Sequence, residues 1–386
     1  MKSYFISQRL RNIHVIIYSG IMIFLILFMA GCKKEITNTA KELNTTAQDL
    51  NGAEQRIDVV VHSGNSIQTA IDAARPGSVI SIQPGVYKEA IIINKKGIFL
   101  IGAGEGVIIQ NPGGKNNGIT VMDNANGFVL KNLTVKDFGE NGVYLSHVNG
   151  FLISKVTTIN NGEYGIFPVY CENGIIDHCS ATGHKDTGIY VGQSKNVLVL
   201  SNTAFANVNG IEVENCTNVS VNKNESFDNS GGLLVILLPG LTVKSADHIL
   251  LTDNYIHDNN HENFSIPSGG FEVVVPKGSG VLIVGVDHVT MRNNKIVNNQ
   301  FVGIAVVSTL VLGGLSGLPP SAFADIEPNA DYAHITGNQV ANNGSAPPAG
   351  LPLPGVDLLW DGTGINNCWE NNSFSTSYPS QLPSCR

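Results

Sequence analysis

Charge is scarce in this sequence. Only 14% of its 386 residues are Asp, Glu, Lys or Arg. So low a charge content excludes a solvated disordered chain and a salt-bridge-laced coiled coil. Cysteine is scarce as well: six residues cannot staple a chain of this length into a disulfide scaffold. Positive charge is in deficit, with a formal net charge of −8, so the electrostatic footprint of a nucleic-acid binder is missing. No Cys-x-x-Cys-His occurs, so the chain carries no c-type haem of its own. Beyond residue 30 no run of 18 consecutive apolar residues appears, which leaves no later candidate for a spanning helix. What is present is glycine (42 residues) and 42% hydrophobic residues, enough to bury one large core or two ordinary ones.

The N-terminus has its own pattern. Lys2, Arg9 and Arg11 precede an apolar stretch over 13–30, which stops at Met29-Ala30-Gly31-Cys32. This resembles the bacterial lipoprotein signal, in which small residues before the cysteine admit the signal peptidase. The resemblance implies a signal peptide over 1–31, lipidation at Cys32 and a flexible tether over 32–57. It also implies a place in the bacterial cell envelope, lipid-anchored at the outer membrane and facing either the periplasm or the surface. An uncleaved membrane anchor is the alternative. Losing the signal removes three cations and no acid, so −8 becomes −11.

Residues 58–386 are one repeat written many times. A Gly followed by apolar-x-apolar recurs at Gly118, Gly142, Gly165, Gly188, Gly210 and Gly232, at intervals shrinking from 24 to 22, and returns at Gly280 and Gly303. A second beat ends in Asn132, Asn202, Asn224, Asn254 and Asn294. A fixed period of this size predicts a solenoid. The runs within each period are short and β-rich, and Asn, Gly and Asp separate them. The expected fold is all-β: a single-stranded right-handed parallel β-helix with three strands per coil. Alternation sends Ile119, Val121, Val143, Leu145, Ile189, Val191, Ile211 and Val213 inward. The Asn beat predicts ladders that satisfy the turn backbone. Ser66 followed by an apolar period over 67–74 predicts a helix that caps the first coil.

The stretch 67–89 resembles the N-terminal cap of pectin-lyase-like β-helix proteins, and the repeats from Gly118 resemble their coils. The runs 188–194 and 229–240 resemble, more narrowly, a bacterial family of parallel β-helix repeat lipoproteins whose function is uncharacterised. That resemblance implies a periplasmic c-type cytochrome-like protein as a partner. Mannuronan epimerases of this fold carry Asp-Pro-His in one coil. The matching coil reads Phe167-Pro168-Val169, which removes the acid–base pair and disfavours epimerisation.

The outward row offers the candidate chemistry. Two places after each Gly stand Thr120, Tyr144, Phe167, Tyr190 and Glu212, and Glu214 follows four places after Gly210. The preceding turns add Glu163, Tyr164, His184, Lys185 and Asp186. Tyr144, Tyr164, Phe167, Glu212 and Glu214 are the expected substrate-binding residues, since aromatic rings stack on sugars and carboxylates accept their hydroxyls. His184, Lys185, Asp186 and Tyr190 are the expected catalytic set: His184 as a base near neutrality, Lys185 to neutralise a carboxylate or sulfate. The leading expectation is a lipoprotein that binds, and in its stronger form cleaves, an acidic polysaccharide in the manner of a lyase. The alternative is a non-catalytic interaction protein that docks the cytochrome-like partner through apolar loops at 237–241, 266–276, 310–323 and 351–354.

No cofactor is expected, though calcium is compatible with the acidic row, and no metal centre is assigned. His248 and His288 each follow an Asp at equivalent points of neighbouring repeats, and a stacked repeated turn is the expected reading. His178 is expected at a turn or in the core. Cys171 and Cys216 are expected as buried thiols two coils apart, and Cys368 with Cys385 as the disulfide candidate.

Overall fold

The computed structural model describes residues 56–385 except 105, 268, 269 and 352. Cys32 and all but the last two residues of the tether lie outside the described residues.

Each coil contributes three parallel strands. One coil runs Thr187–Gly192, Lys195–Leu200 and Thr203–Phe205, and the next runs Asn209–Glu214, Thr217–Asn222 and Glu225–Phe227. The first strand of each coil joins an 11-stranded sheet, and the other two join a 20-stranded sheet. Register is in phase: Thr187, Ile189 and Val191 face Asn209, Ile211 and Val213. The inward residues expected from the Gly repeat, Ile119 through Val213, are all at most 1% exposed. They stack into one column of core, as a right-handed β-helix requires.

Two interior asparagine ladders hold the corners. In one, the backbone N–H of Asn202 donates to Asn224 Oδ1, Asn224 to Asn254, Asn254 to Asn294 and Asn294 to Asn338, at 2.9 Å each time. The other runs through Asn161, His184, Asn207, Asn229, Asn259, Asn299 and Asn343. These side chains replace water for corner amides that no strand can reach. The ladders also explain the glycine repeat. A Cβ on Gly188 would lie 2.8 Å from Asn207 Nδ2, and one on Gly165 would lie 2.7 Å from His184 Nε2. The recurrent Gly is the space that the second ladder occupies. His178 lies outside both ladders: it is an exposed left-handed turn residue (φ 52°) bonded to Asp177.

Helix α1 (Ile67–Ala73) covers the first coil and buries Ile67 and Ile71. Ser66 Oγ accepts from Thr69 N–H, while the Glu89 carboxylate accepts from Ile67 and Gln68 N–H. Lys95 Nζ donates to the carbonyls of Ile71, Asp72 and Ala74 at the other end. The helix needs these side chains because seven residues are too few to be stable alone.

The apolar excursions fold back on the molecule. Leu238, Val275 and Leu312 pack with Leu234, Ile236, Val284, Phe301, Val307 and Leu359 into a second apolar core. This core sits on the outward face of the 11-stranded sheet, over its C-terminal coils. Helix α2 (Leu310–Ser316) and the one-turn 3-10 segment Phe271–Val274 belong to this cover. Ion pairs Lys244–Asp325 and Lys277–Glu262 pin its loops. Cys368 and Cys385 are joined near the C-terminus, with Cα atoms 4.8 Å apart. Cys171, Cys179 and Cys216 are buried free thiols, and burial pushes Cys171 and Cys179 up to about 12.

Candidate functional site

The outward row of the 11-stranded sheet changes character along the molecule. Thr120 pairs with Tyr144, Tyr144 with Phe167, and Tyr190 with Glu212. Glu212 then pairs with Leu234, and Leu234 with Leu282. Glu214 faces Ile236 in the same register. The two glutamates are therefore the last polar residues before the apolar cover begins.

A cavity of about 400 Å³ opens at this boundary. One wall is the helix body, with Glu163, Tyr164, Lys185, Asp186, Glu212 and Glu214. The other is the cover, with Leu238, Pro239, Leu241, Ile266, Phe271 and Glu272. Five carboxyl groups thus share the cavity with one cation, the exposed Lys185.

The carboxyl groups are buried where they meet the cover: Glu212 is 6% exposed, and Asp186 and Glu214 are 8%. Burial, then the neighbouring charges of Asp186 and Glu214, lifts Glu212 well above the carboxylate range. Burial followed by the Glu272 charge raises Asp186 to about 7. Burial raises Glu214 to about 7 against the hydrogen bond from Tyr190, and Glu272 adds to the rise. Glu163 and Glu272 are raised as well, burial first in each case. The site therefore holds protons at neutrality that exposed carboxylates would have lost.

Hydrogen bonds fix the cluster. Tyr190 Oη donates to Glu214 Oε1 at 2.6 Å. Asn209 Nδ2 donates to Glu212 Oε2 at 3.2 Å. Thr187 Oγ1 lies 2.6 Å from Glu212 Oε2 and 3.0 Å from Asp186 Oδ1. A hydroxyl has one proton to give. The second contact therefore needs a proton from a carboxyl group, which agrees with the raised proton affinity of both partners. An aromatic group flanks the cluster: Tyr164 stacks on Phe167 at 4.4 Å, and Phe167 meets Tyr190 edge-on at 4.7 Å and Tyr144 at 5.4 Å.

The structure brings Tyr164, Lys185, Asp186, Glu212 and Glu214 together around the cavity. Tyr190 stands behind Glu214, and Tyr144 and Phe167 lie along the aromatic flank. His184 is a correction. It is fully buried and occupies an asparagine position in the second ladder, where its Nδ1 accepts from Asn161 N–H at 3.2 Å. Burial lowers it to about 4, so it is a neutral structural ring turned away from the cavity. The misassignment has a simple cause: His184 follows the left-handed Gly183 (φ 79°) into the interior ladder, while Asp186, two residues on, lines the cavity.

Glu272, Thr187 and Asn209 are site residues that sequence reasoning missed. Glu272 had one signal, as the single acid in an otherwise apolar excursion over 266–276. Thr187 and Asn209 are equivalent residues of adjacent strands, and nothing in the repeat marks them as different from other strand-opening residues.

Comparison with known proteins gives the fold. Residues 117–238 match the family model described as "Right handed beta helix region". No curated protein matches the sequence. Among solved structures, the A-module of mannuronan C-5 epimerase AlgE4 from Azotobacter vinelandii is similar at 18% identity and a TM-score of 0.61, over 85% of this chain and 98% of that one. The AlgE6 A-module of the same organism is similar at 20% identity and a TM-score of 0.62, over 82% and 85%. DFA-IIIase from Arthrobacter chlorophenolicus A6 is similar at 12% identity and a TM-score of 0.53, over 87% and 82%. At these identities the likeness is one of fold: a right-handed β-helix.

Proposed function

We propose that this chain is a carbohydrate-active β-helix that binds an acidic polysaccharide in the cavity between its outward sheet face and the apolar cover, and cleaves it by proton transfer. The observation that carries the reading is the gathering of Asp186, Glu212 and Glu214, with proton affinities raised to neutrality or above, beside the Tyr164–Phe167 flank. A group whose pKa lies near the working pH is suited both to take and to give a proton. The names of the similar folds, mannuronan epimerases among them, make uronate polymers the first class to test.

Charge sets the conditions. A uronate has an ordinary carboxylate pKa, on the order of 3–4. From about pH 4 to about 7 the polymer is ionised while Asp186 and Glu214 are largely protonated. In that window the cavity presents carboxyl O–H donors and the Lys185 cation to the substrate. Above it, the cavity repels a polyanion unless a divalent cation intervenes. The oxygen-only donor set suits calcium, and a calcium-bridged mode belongs to this proposal.

The step is an elimination. Ionised Glu214, held by Tyr190, takes the proton from the carbon next to the uronate carboxylate. The C4–oxygen bond then breaks as a C4–C5 double bond forms, and protonated Asp186 supplies the proton to the departing glycosidic oxygen. Lys185 offsets the charge that develops on the uronate carboxylate. We further propose the envelope setting: a signal peptide over 1–31, an acyl anchor at Cys32 and a tether that ends at the first coil. Docking of a cytochrome-like partner draws less support, because the apolar loops spend their side chains on the second core.

The test is proton NMR of mannuronan, guluronan, polygalacturonate and neutral glucans incubated with the protein at pH 6 and 8, with calcium or with chelator. The expected result is unsaturated ends from a uronate polymer, stronger at pH 6 when calcium is absent, and reduced by about 100-fold or more in Glu214→Gln. Line broadening without new ends would leave a binding module. Equal action on neutral glucans, or no response to any polymer, would overturn the proposal.

A further inference from the structure

A left-handed turn residue opens the second strand of successive coils, and its usual occupant is asparagine. Asn173, Asn196 and Asn218 fill the column with φ near 56°, and their side chains bond Asn196 to Asn173 and Asn218 to Asn196. The next two coils carry His248 (φ 57°) and His288 (φ 48°) instead, followed by Tyr332. The His248 and His288 rings stack at 4.8 Å, and Tyr332 stacks on His288 at 4.7 Å. Both histidines turn Nδ1 onto one carboxylate: His248 to Asp247 Oδ2 and His288 to Asp247 Oδ1, each at 2.8 Å.

We propose that Asp247, His248 and His288 form a binding site for a divalent late transition-metal ion of the zinc type. The two imidazole nitrogens and one carboxylate oxygen converge within 4.8 Å of one another. A tetrahedral zinc ion with bonds of about 2.0–2.1 Å needs ligand atoms about 3.3 Å apart, so small side-chain rotations admit the ion. The ligands are held in advance. His248 N–H donates to Asp287 O and His288 N–H to Asp331 O, so the coil spacing fixes both backbones, and the stacked rings fix the planes. Asp287 and Asp331 add negative charge beside the site, where Asp287 Oδ1 accepts from Asp331 N–H at 3.0 Å. The side chains of His248 and His288 are 57% and 45% exposed, which leaves the ion open to water or an incoming ligand on its outer side. Binding requires each ring to carry its one remaining proton on Nε2, which leaves the Nδ1 lone pair for the ion, and any further ring proton passes to solvent. None of these residues lines the carboxyl cavity, so the site is independent of the function proposed above.

The molecule holds its own control. Asp177–His178 repeats the Asp–His turn, with Nδ1 again 2.8 Å from the carboxylate, but it has no second histidine in register. The experiment is calorimetric titration of the full chain with Zn²⁺, for wild type, His178→Asn and the double variant His248→Asn/His288→Asn. Asparagine is the resident side chain of this column, so the double variant keeps the turn. The expected result is a zinc site in wild type and in His178→Asn that is weakened by at least about 100-fold in the double variant, since even outer-shell partners of a metal cost about 10–100-fold when lost. X-ray absorption of the zinc-loaded wild type provides a second readout, with two imidazole ligands expected. Absence of zinc binding in wild type, undiminished binding in the double variant, or a spectrum without imidazole would each overturn the proposal.

Discussion

One sheet face runs the length of this molecule and does two different things. Over the N-terminal coils its outward row is Tyr144, Phe167, Tyr190 and Glu212, aromatic and then acidic. Over the C-terminal coils the same row is Leu234, Leu282, Ala305 and Leu359, apolar and covered by loops. The strands pair in parallel, in-phase register on both sides. The difference lies in the side chains that the strand alternation sends outward, and in the loops that only the apolar half can hold down. The acidic residues fall at the seam. Glu212 and Glu214 touch solvent chemistry on one side and the second core on the other, and Glu272 reaches back from the cover to the same place. The cover thus does more than bury its own side chains: by desolvating the seam it sets the proton affinity of the site.

Moving the seam is the severest way to break this comparison. Leu234→Glu carries the acidic row one coil further, into the second core. An unpaired buried charge is among the few changes that cost several kcal/mol. A loss of about 3 kcal/mol or more is expected from urea unfolding at pH 8, with the cover released. A loss under about 1 kcal/mol would mean that the cover does not bury this row.

Glu214→Gln removes one seam carboxyl and leaves its shape. Its folded pKa of about 7 lies above the ordinary 4.5, so the native wild type binds more protons than the unfolded chain between those values. The associated stability is present below about pH 4.5 and lost as pH rises through about 7. Measured against the variant, wild type should fall behind by on the order of 3 kcal/mol across that window and then run parallel. A flat difference from pH 4 to 8 would contradict the raised affinity.

His184→Asn carries the comparison from the seam to the interior and has the opposite sign. His184 is lowered to about 4 from 6.5. Its contribution is present above about pH 6.5 and lost as pH falls through about 4. Wild type should lose on the order of 3 kcal/mol relative to the variant over that acid range. Polymer cleavage at neutral pH should change by less than about threefold, because asparagine is the ladder's own residue and the ring does not face the cavity. A large loss of activity with stability intact would return His184 to the site.

The smallest effect is expected from Glu272→Gln. Removing the cover's charge should lower the midpoints of both Asp186 and Glu214 by less than about one unit, since burial is the larger cause for each. A greater fall would make Glu272, rather than desolvation, the principal source.

The fold was legible because its signal is repeated. A Gly at intervals of 22 to 24, alternating apolar residues and a beat of asparagine all follow from one coil geometry, and every coil restates them. The second ladder through Asn207, Asn229 and Asn259 was overlooked, although its Gly partners were the clearest feature of the sequence. The site was legible in part, for the same reason. Outward residues of consecutive strands, such as Tyr190 and Glu212, follow from alternation alone. His184 is hard to place from sequence because the left-handed corner at Gly183 turns the next side chain inward, and the equivalent corners are Asn160, Ala206 and Asp228, which share no residue type. Glu272 and the burial of Glu212 depend on loops over 237–246 and 258–278 folding back onto the sheet. That is a tertiary event, and the repeat does not encode it.

The central claim is that the apolar cover gives Asp186 and Glu214 their protons at neutral pH. Carboxyl-carbon NMR titration of the protein, with Asp186→Asn and Glu214→Gln to assign the resonances, tests it most directly. The account predicts midpoints near pH 7 for both groups, well separated from the bulk of Asp and Glu near pH 4. Midpoints near 4 for both would contradict it, and with it the chemistry proposed for the cavity.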